Sequence, residues 1–121
     1  IERIKKCATG FRAKYLLAAN DIVTDKWIAK LRKMKYADAH EKLMEIPGIA
    51  EKVSDCICLF ALGHLEAFPV DVWIERIMET TYFAGKQTKN KDIRAFAKER
   101  WGPLAGYAQQ FLYHHARHQT R

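Results

Sequence analysis

The stretch LMEIPGIAEKVSDCICLFALGHLEAFPVDVW, residues 43–73, decides the fold. An apolar run ends at Pro47-Gly48, and a second starts at once with Lys52 one turn inside it. Proline cannot continue a helix and glycine admits left-handed backbone, so the pair marks a tight turn between two helices. Helical spacing then runs from about Ala50 to Leu62, with Val53, Ile57, Phe60 and Ala61 as the expected inward face and Gly63 as the stop. The run AFPVDV, residues 67–72, is too short and too interrupted by proline to be a sheet strand. Asp71 directly precedes a further helical pattern and suits its N-cap.

The same period recurs on either side. Phe11, Tyr15, Leu16, Ala19 and Val23 trace an apolar stripe after Gly10, and Trp27, Ile28 and Leu31 form a short second helix capped by Thr24 or Asp25. Asp38 is placed to cap a third, with Leu43 and Met44 inward. Beyond the quoted stretch a helix runs from Val72 to about Thr80, and GKQTKNK, residues 85–91, is a polar loop. Ile93, Phe96, Ala97 and Trp101 make a sixth helix. Gly102-Pro103 breaks it and opens a seventh through Leu104, Tyr107, Ala108, Phe111 and Leu112. No window alternates with period two. The expected class is all-α, about seven helices around one small core, in a single domain over residues 1–121.

Composition narrows the function. An apolar fraction of 49% and three tryptophans indicate a globular chain rather than a disordered one. No apolar run approaches the roughly 18 residues of a membrane span, and IERIKKCATG is no signal peptide, so a soluble intracellular protein is expected. Cys7, Cys56 and Cys58 cannot all pair and are too few for a cysteine-only metal site, which suits a reducing compartment. The net charge of +7 is lopsided: residues 1–35 hold ten Lys/Arg against three Asp/Glu. Such a segment suits a polyanion, nucleic acid above all, and its plainer reading is a solvated basic surface. The chain opens in what reads as the interior of a helical region, so a fragment lacking an N-terminal part is expected.

The turn Pro47-Gly48-Ile49-Ala50 leads into a helix N-terminus, whose unpaired N–H groups and positive dipole end can hold a phosphate. Plain helical corners use the same dipeptide. Lys52 has apolar neighbours in Ile49, Val53 and Cys56, which predict a partly desolvated amine able to act as a neutral nucleophile; the alternative is a snorkelling surface lysine. An N-capping Asp71 is held rigidly and can face developing positive charge. A lysine nucleophile with a fixed carboxylate is the pair needed to displace a base from a deoxyribose: the amine attacks the anomeric carbon while the carboxylate stabilises an oxocarbenium-like centre.

PGIAEKVSDCICLFAL followed by PVDVW resembles the signature of the helix–hairpin–helix DNA glycosylases, and within them the 8-oxoguanine DNA glycosylase/AP lyase branch. GFRAKYLLAA, YADAHEKLMEIPGI and WGPLAGYAQQFLY are similar to family segments in the same order, so the resemblance covers nearly the whole chain. It implies a bifunctional enzyme of base excision repair, acting on double-stranded DNA that contains 8-oxoguanine. Lys52 matches the Schiff-base lysine and Asp71 the catalytic aspartate. Cys56 matches a residue flanking the flipped purine, Gln109 the glutamine that reads its Watson–Crick edge, and Tyr113 the aromatic on its other side. Arg12 matches an arginine at the orphaned cytosine, while Pro47, Gly48, Ile49, Ala50 and Trp73 fall at DNA-backbone positions. Trp73 stands where the best-known members have histidine, Ala50 replaces the hairpin's second glycine, and Tyr113 replaces a phenylalanine. The family's small N-terminal domain and its wedge asparagine have no counterpart in residues 1–121.

The implied chemistry requires no cofactor and no catalytic metal; the one cation the resemblance allows is structural, at the hairpin carbonyls. The compartment would be the nucleus in a eukaryote, or the cytoplasm and nucleoid in a prokaryote. An endonuclease III-like enzyme would carry a four-cysteine iron–sulfur cluster after the core, yet no cysteine follows Cys58. An alkylation-type glycosylase typically lacks the lysine. The alternative from another class is a helix–hairpin–helix module that only binds DNA. His114 and His118, four apart with His115 beside them, have no carboxylate or cysteine nearby in sequence and suit a helix C-terminus better than a metal. The apolar stripe from Phe11 to Val23 predicts self-association or a complementing N-terminal segment.

Overall fold

The computed structural model describes residues 1–119, and every regular element among them is helical. The order is α1 Glu2–Lys5, a 3₁₀ turn Gly10–Arg12, α2 Ala13–Ile22, α3 Asp25–Arg32, α4 Tyr36–Met44, α5 Glu51–Phe60, α6 Val72–Tyr82, α7 Asn90–Trp101, a 3₁₀ turn Gly102–Leu104 and α8 Ala105–Gln119. Apart from the single turn of α1, seven helices form among the described residues, as the apolar period predicts. No described helix is long and apolar enough to cross a membrane. The chain divides into two compact units, Ile1–Ser54 and the residues from Asp55 on, with the division inside α5.

In the first unit Ala13, Leu31, Ala39, Leu43 and Ile46 are buried. Thr24 caps α3, its hydroxyl accepting the Trp27 N–H at 3.2 Å, which settles the choice left open between Thr24 and Asp25. Asp38 is no cap. The helix begins at Tyr36 behind extended Lys35, so Asp38 is its third residue and faces the positive dipole end instead. The stripe expected on α2 holds only in part: Tyr15, Ala19 and Val23 are half-buried, whereas Phe11 is 68% exposed and Leu16 is exposed. Phe11 lies in the 3₁₀ turn, where the 3.6-residue spacing does not apply, and meets the Tyr15 ring edge-on at 6.3 Å.

The inward face of α5 departs from its apolar pattern. Val53 is 41% exposed, Phe60 64% and Ala61 exposed, with Ile57 half-buried; Ser54, Asp55, Cys58 and Leu59 are buried instead. Polar pairing causes the change. The Ser54 hydroxyl donates to the His40 carbonyl at 2.7 Å, and Asp55 is bound by Arg94 of α7, so two polar side chains take positions that an apolar count assigns outward.

The second unit is built on Phe68, Val70, Ile74, Met78, Ile93, Ala97 and Ala105, with Tyr82, Phe96, Trp101, Leu112 and Tyr113 packed against them. Phe68 stacks on Trp101 with ring centroids 5.8 Å apart. Helix α8 packs on α6 and α7, and its buried residues are Ala105, Gly106, Gln109 and Ala116. At Gly106 a Cβ would collide with the Leu59 side chain and lie 2.7 Å from the Leu65 carbonyl, which accepts the Gly106 N–H at 2.7 Å. That approach fixes the rotation of α8. Of the residues expected on the apolar face, Tyr107 and Phe111 are therefore exposed, Phe111 to 78%, as is Leu104 in the preceding 3₁₀ turn, whereas Ala108 and Leu112 are half-buried.

Candidate functional site

The hairpin in the first unit is a type II turn. The Ile49 N–H donates to the Ile46 carbonyl at 3.1 Å across Pro47-Gly48. Proline presets the second position, and Gly48 has φ +89°, the conformation the third position demands. The Tyr15 ring backs this turn, its Cγ lying 2.5 Å from where a Cβ at position 48 would stand. Pro47, Gly48 and Ala50 are exposed and Ile49 half-buried, so the backbone entering α5 is open to a ligand. Helix α5 then starts with the Ser54 N–H donating to the Ala50 carbonyl at 3.0 Å, which leaves the preceding N–H groups outside its ladder.

Lys52 lies in the first turn of α5 and is exposed, not sheltered as its apolar neighbours predict, because Val53 faces outward beside it. Arg12 is exposed as well, with its guanidinium 4.8 Å from the centroid of the Phe11 ring. The first unit thus carries Arg12, the hairpin residues and Lys52.

The second unit carries Cys56, Asp71, Trp73, Gln109 and Tyr113. Asp71 is the N-cap of α6: its Oδ1 accepts the Ile74 N–H at 2.8 Å. Its Oδ2 takes no hydrogen bond or ion pair from any described residue, so one oxygen positions the carboxylate and the other stays available for chemistry. Gln109 is only 5% exposed. Its Nε2 donates to the Pro69 carbonyl at 3.1 Å, and its Oε1 accepts from Gln110 Nε2 at 2.6 Å. The glutamine is therefore anchored to the segment that leads into Asp71. An amide oxygen has two lone pairs, so Oε1 can accept a second bond.

Tyr113 lies one turn beyond Gln109 on α8, half-buried, with the Arg117 guanidinium 5.8 Å from its ring centroid. Cys56 is half-buried, and no disulfide forms among the described cysteines. Trp73 sits in a groove of about 490 Å³ together with Arg76, Ile77, Leu112 and His115. Among the described residues no group of three or more His, Cys, Asp or Glu is placed to hold a metal ion.

Sequence reasoning missed three supports of these side chains: Tyr15 behind the hairpin, Arg94 on Asp55 one residue from Cys56, and the Pro69 carbonyl on Gln109. Each joins residues distant in sequence, where local spacing carries no signal.

No protein-family model matches the chain. Relatives nevertheless exist. The "Probable N-glycosylase/DNA lyase" of Methanothermobacter thermautotrophicus is 38% identical over 115 residues, covering 94% of this chain and 36% of that protein. N-glycosylase/DNA lyase OGG1 of Arabidopsis thaliana is 32% identical, covering 93% of this chain and 34% of its own length. Among solved structures, MBOgg1 in complex with a low affinity DNA ligand matches with a TM-score of 0.89 and 34% identity, over 99% of this chain and 42% of that one. The 8-oxoguanine glycosylase/lyase of Clostridium acetobutylicum, in complex with double-stranded DNA containing cytosine opposite 8-oxoG, matches with a TM-score of 0.86 and 34% identity, over 97% of this chain and 41% of that one. The chain spans 36% and 34% of the length of the two curated relatives. In sequence and in fold it belongs to the helix–hairpin–helix DNA glycosylases, in their 8-oxoguanine glycosylase/lyase branch.

Proposed function

We propose that this chain supplies the catalytic residues of an intracellular, bifunctional DNA glycosylase/AP lyase that removes 8-oxoguanine from duplex DNA. The observation that carries the reading is the likeness, at 34% identity over 97% of the chain, to a glycosylase/lyase solved on DNA. The exposed hairpin and Arg12 grip the duplex largely through phosphates, and the lesion is turned out of the stack. Cys56 and Tyr113 bracket the purine while the anchored Gln109 meets its edge.

The Lys52 amine donates its lone pair to the anomeric carbon as the glycosidic bond breaks and its electrons leave with the base. Asp71 Oδ2 stabilises the positive charge that develops on the sugar. Loss of a proton from nitrogen and opening of the sugar ring give the Schiff base. Removal of a C2′ proton then expels the 3′ phosphate, which nicks the strand on that side. These steps require no cofactor and no catalytic metal, and a structural cation at the hairpin carbonyls is compatible with them.

Borohydride trapping on a duplex with 8-oxoguanine opposite cytosine tests the reading. A longer protein that contains this chain is expected to form a covalent complex with DNA that Lys52→Gln abolishes, while the 121-residue stretch by itself is expected to show little or no excision. Undiminished trapping by Lys52→Gln would remove Lys52 from the mechanism. DNA binding by a longer protein without any trapping would favour the DNA-binding module instead.

A further inference from the structure

Tyr15 carries none of the functions assigned above, yet its ring joins two of the elements that do. Arg12 is the N-cap of α2 and Tyr15 lies in the first turn of that helix, so one rigid element carries both. A Cβ at position 48 would stand 2.5 Å from the Tyr15 Cγ and 2.9 Å from both Cδ1 and Cδ2. Equal distances to the two Cδ atoms, only slightly longer than that to Cγ, put this point over the face of the ring. The Gly48 backbone therefore lies against a flat aromatic plate, an approach that a residue with a Cβ could not make. The Lys14 amine stands 5.1 Å from the centroid of the same ring. All of these residues fall in the first unit.

We propose that Tyr15 is a positioning residue for DNA binding: it holds the Arg12 end of α2 and the Pro47-Gly48 hairpin at a fixed spacing, so that both meet one duplex together. The inference rests on the DNA-repair reading above and deepens it. Two contacts on one rigid body share the cost of a single association, whereas contacts on loosely joined elements each add an ordering cost. Helix α5 begins three residues after Gly48, so the plate also backs the backbone on which Lys52 enters the site. Tyr15 acts through these neighbours and touches no nucleotide itself.

A cycle of duplex affinities for the 121-residue chain, at one low salt concentration, tests the proposal. Arg12→Ala is measured in the native chain, in Tyr15→Leu and in Tyr15→Phe. Tyr15 is half-buried and outside the buried set of its unit, so Tyr15→Leu is expected to fold, which circular dichroism checks. Tyr15→Met, with a flexible side chain in place of the plate, is a second variant of the same kind. Tyr15→Leu alone is expected to lower affinity roughly 3- to 10-fold, the cost of ordering a freed segment. In that background Arg12→Ala should lose most of its effect. Tyr15→Phe keeps the ring carbons that meet Gly48 and should behave as the native chain throughout.

If Arg12→Ala costs the same factor with and without the ring, Tyr15 serves stability only and the proposal fails. A Tyr15→Phe chain as weak as Tyr15→Leu would assign the hydroxyl a contact with DNA and would equally overturn the positioning role. No duplex binding by the native chain would defeat both this inference and the reading it rests on, whereas binding with additive costs defeats the inference alone.

Discussion

Asp55 and Arg94 meet at two points across 39 residues of sequence, with Arg94 Nε 2.9 Å from Asp55 Oδ2 and Nη2 3.3 Å from Oδ1. The carboxylate is fully buried, while the guanidinium keeps a side-chain exposure of 21%. This pair turns the middle of α5 toward α7 and decides which face of the helix is interior. Cys56 follows directly, so the same pair sets where the thiol stands.

Asp55→Ala and Arg94→Ala are each expected to destabilise the chain, the arginine change by about 3–5 kcal/mol because it leaves a carboxylate buried without its cation. The aspartate change should cost less, since Arg94 can reach water. Urea unfolding of both and of the double variant checks this. A double variant no less stable than Arg94→Ala would confirm the coupling, and costs that simply add would refute it.

Gly48→Ala meets two obstacles. Left-handed backbone costs a non-glycine residue roughly 1–2 kcal/mol, and the new methyl runs into the Tyr15 ring. Combining it with Tyr15→Ala is expected to relieve the second obstacle and not the first. Thermal unfolding of the single and double variants separates them; a Gly48→Ala chain as stable as the native one would contradict the turn geometry.

The Pro47-Gly48 turn and the Asp71 cap were legible because each is a local device: a few consecutive residues state both the need and the solution. The helices were legible for the same reason. What spacing could not give was rotation about the helix axis. In α5 the carboxylate of Asp55 reads as a surface group until Arg94 arrives from another helix. In α8 the apolar count selects Tyr107 and Phe111, but the smallness of Gly106 admits a close approach to Leu59 and Leu65. Van der Waals contact favours the small face once a neighbour is near enough. Of the site, the residue types followed from the family resemblance, whereas the anchoring of Gln109 on the Pro69 carbonyl depends on the fold.

Asp71→Asn and Asp71→Ala separate two roles. Asparagine caps about as well as aspartate, so the first should leave stability nearly unchanged, while alanine should lose about 0.5–2 kcal/mol. Single-turnover excision by the longer protein is expected to fall by orders of magnitude in both, because both remove the charge at Oδ2. An Asp71→Asn protein with a native chemical rate would make Asp71 a cap and nothing more.

Gln109→Ala leaves the buried Pro69 carbonyl without its donor, a cost of about 1–3 kcal/mol. In the longer protein it should also lower preference for the lesion more than it lowers affinity for undamaged duplex, since an edge contact reads sequence and a phosphate contact does not. Equal losses on both duplexes would place Gln109 outside the base pocket and confine it to anchoring.

Exposed apolar surface and net charge make opposite demands on the chain in salt. Phe11, Leu16 and Leu17 in the first unit, and Leu104, Tyr107 and Phe111 in the second, expose large apolar side chains, while the chain carries +7. Contiguous apolar surface favours association, and like charge opposes it. Added salt screens the repulsion and also weakens phosphate contacts, so raising it should promote self-association while reducing DNA binding. Sedimentation equilibrium and duplex affinity over one salt series test both signs together. Phe11→Ser combined with Phe111→Ser should reduce association and leave the salt slope for DNA unchanged, because neither side chain carries charge. A chain that stays monomeric at high salt would show that these apolar residues do not drive assembly at all.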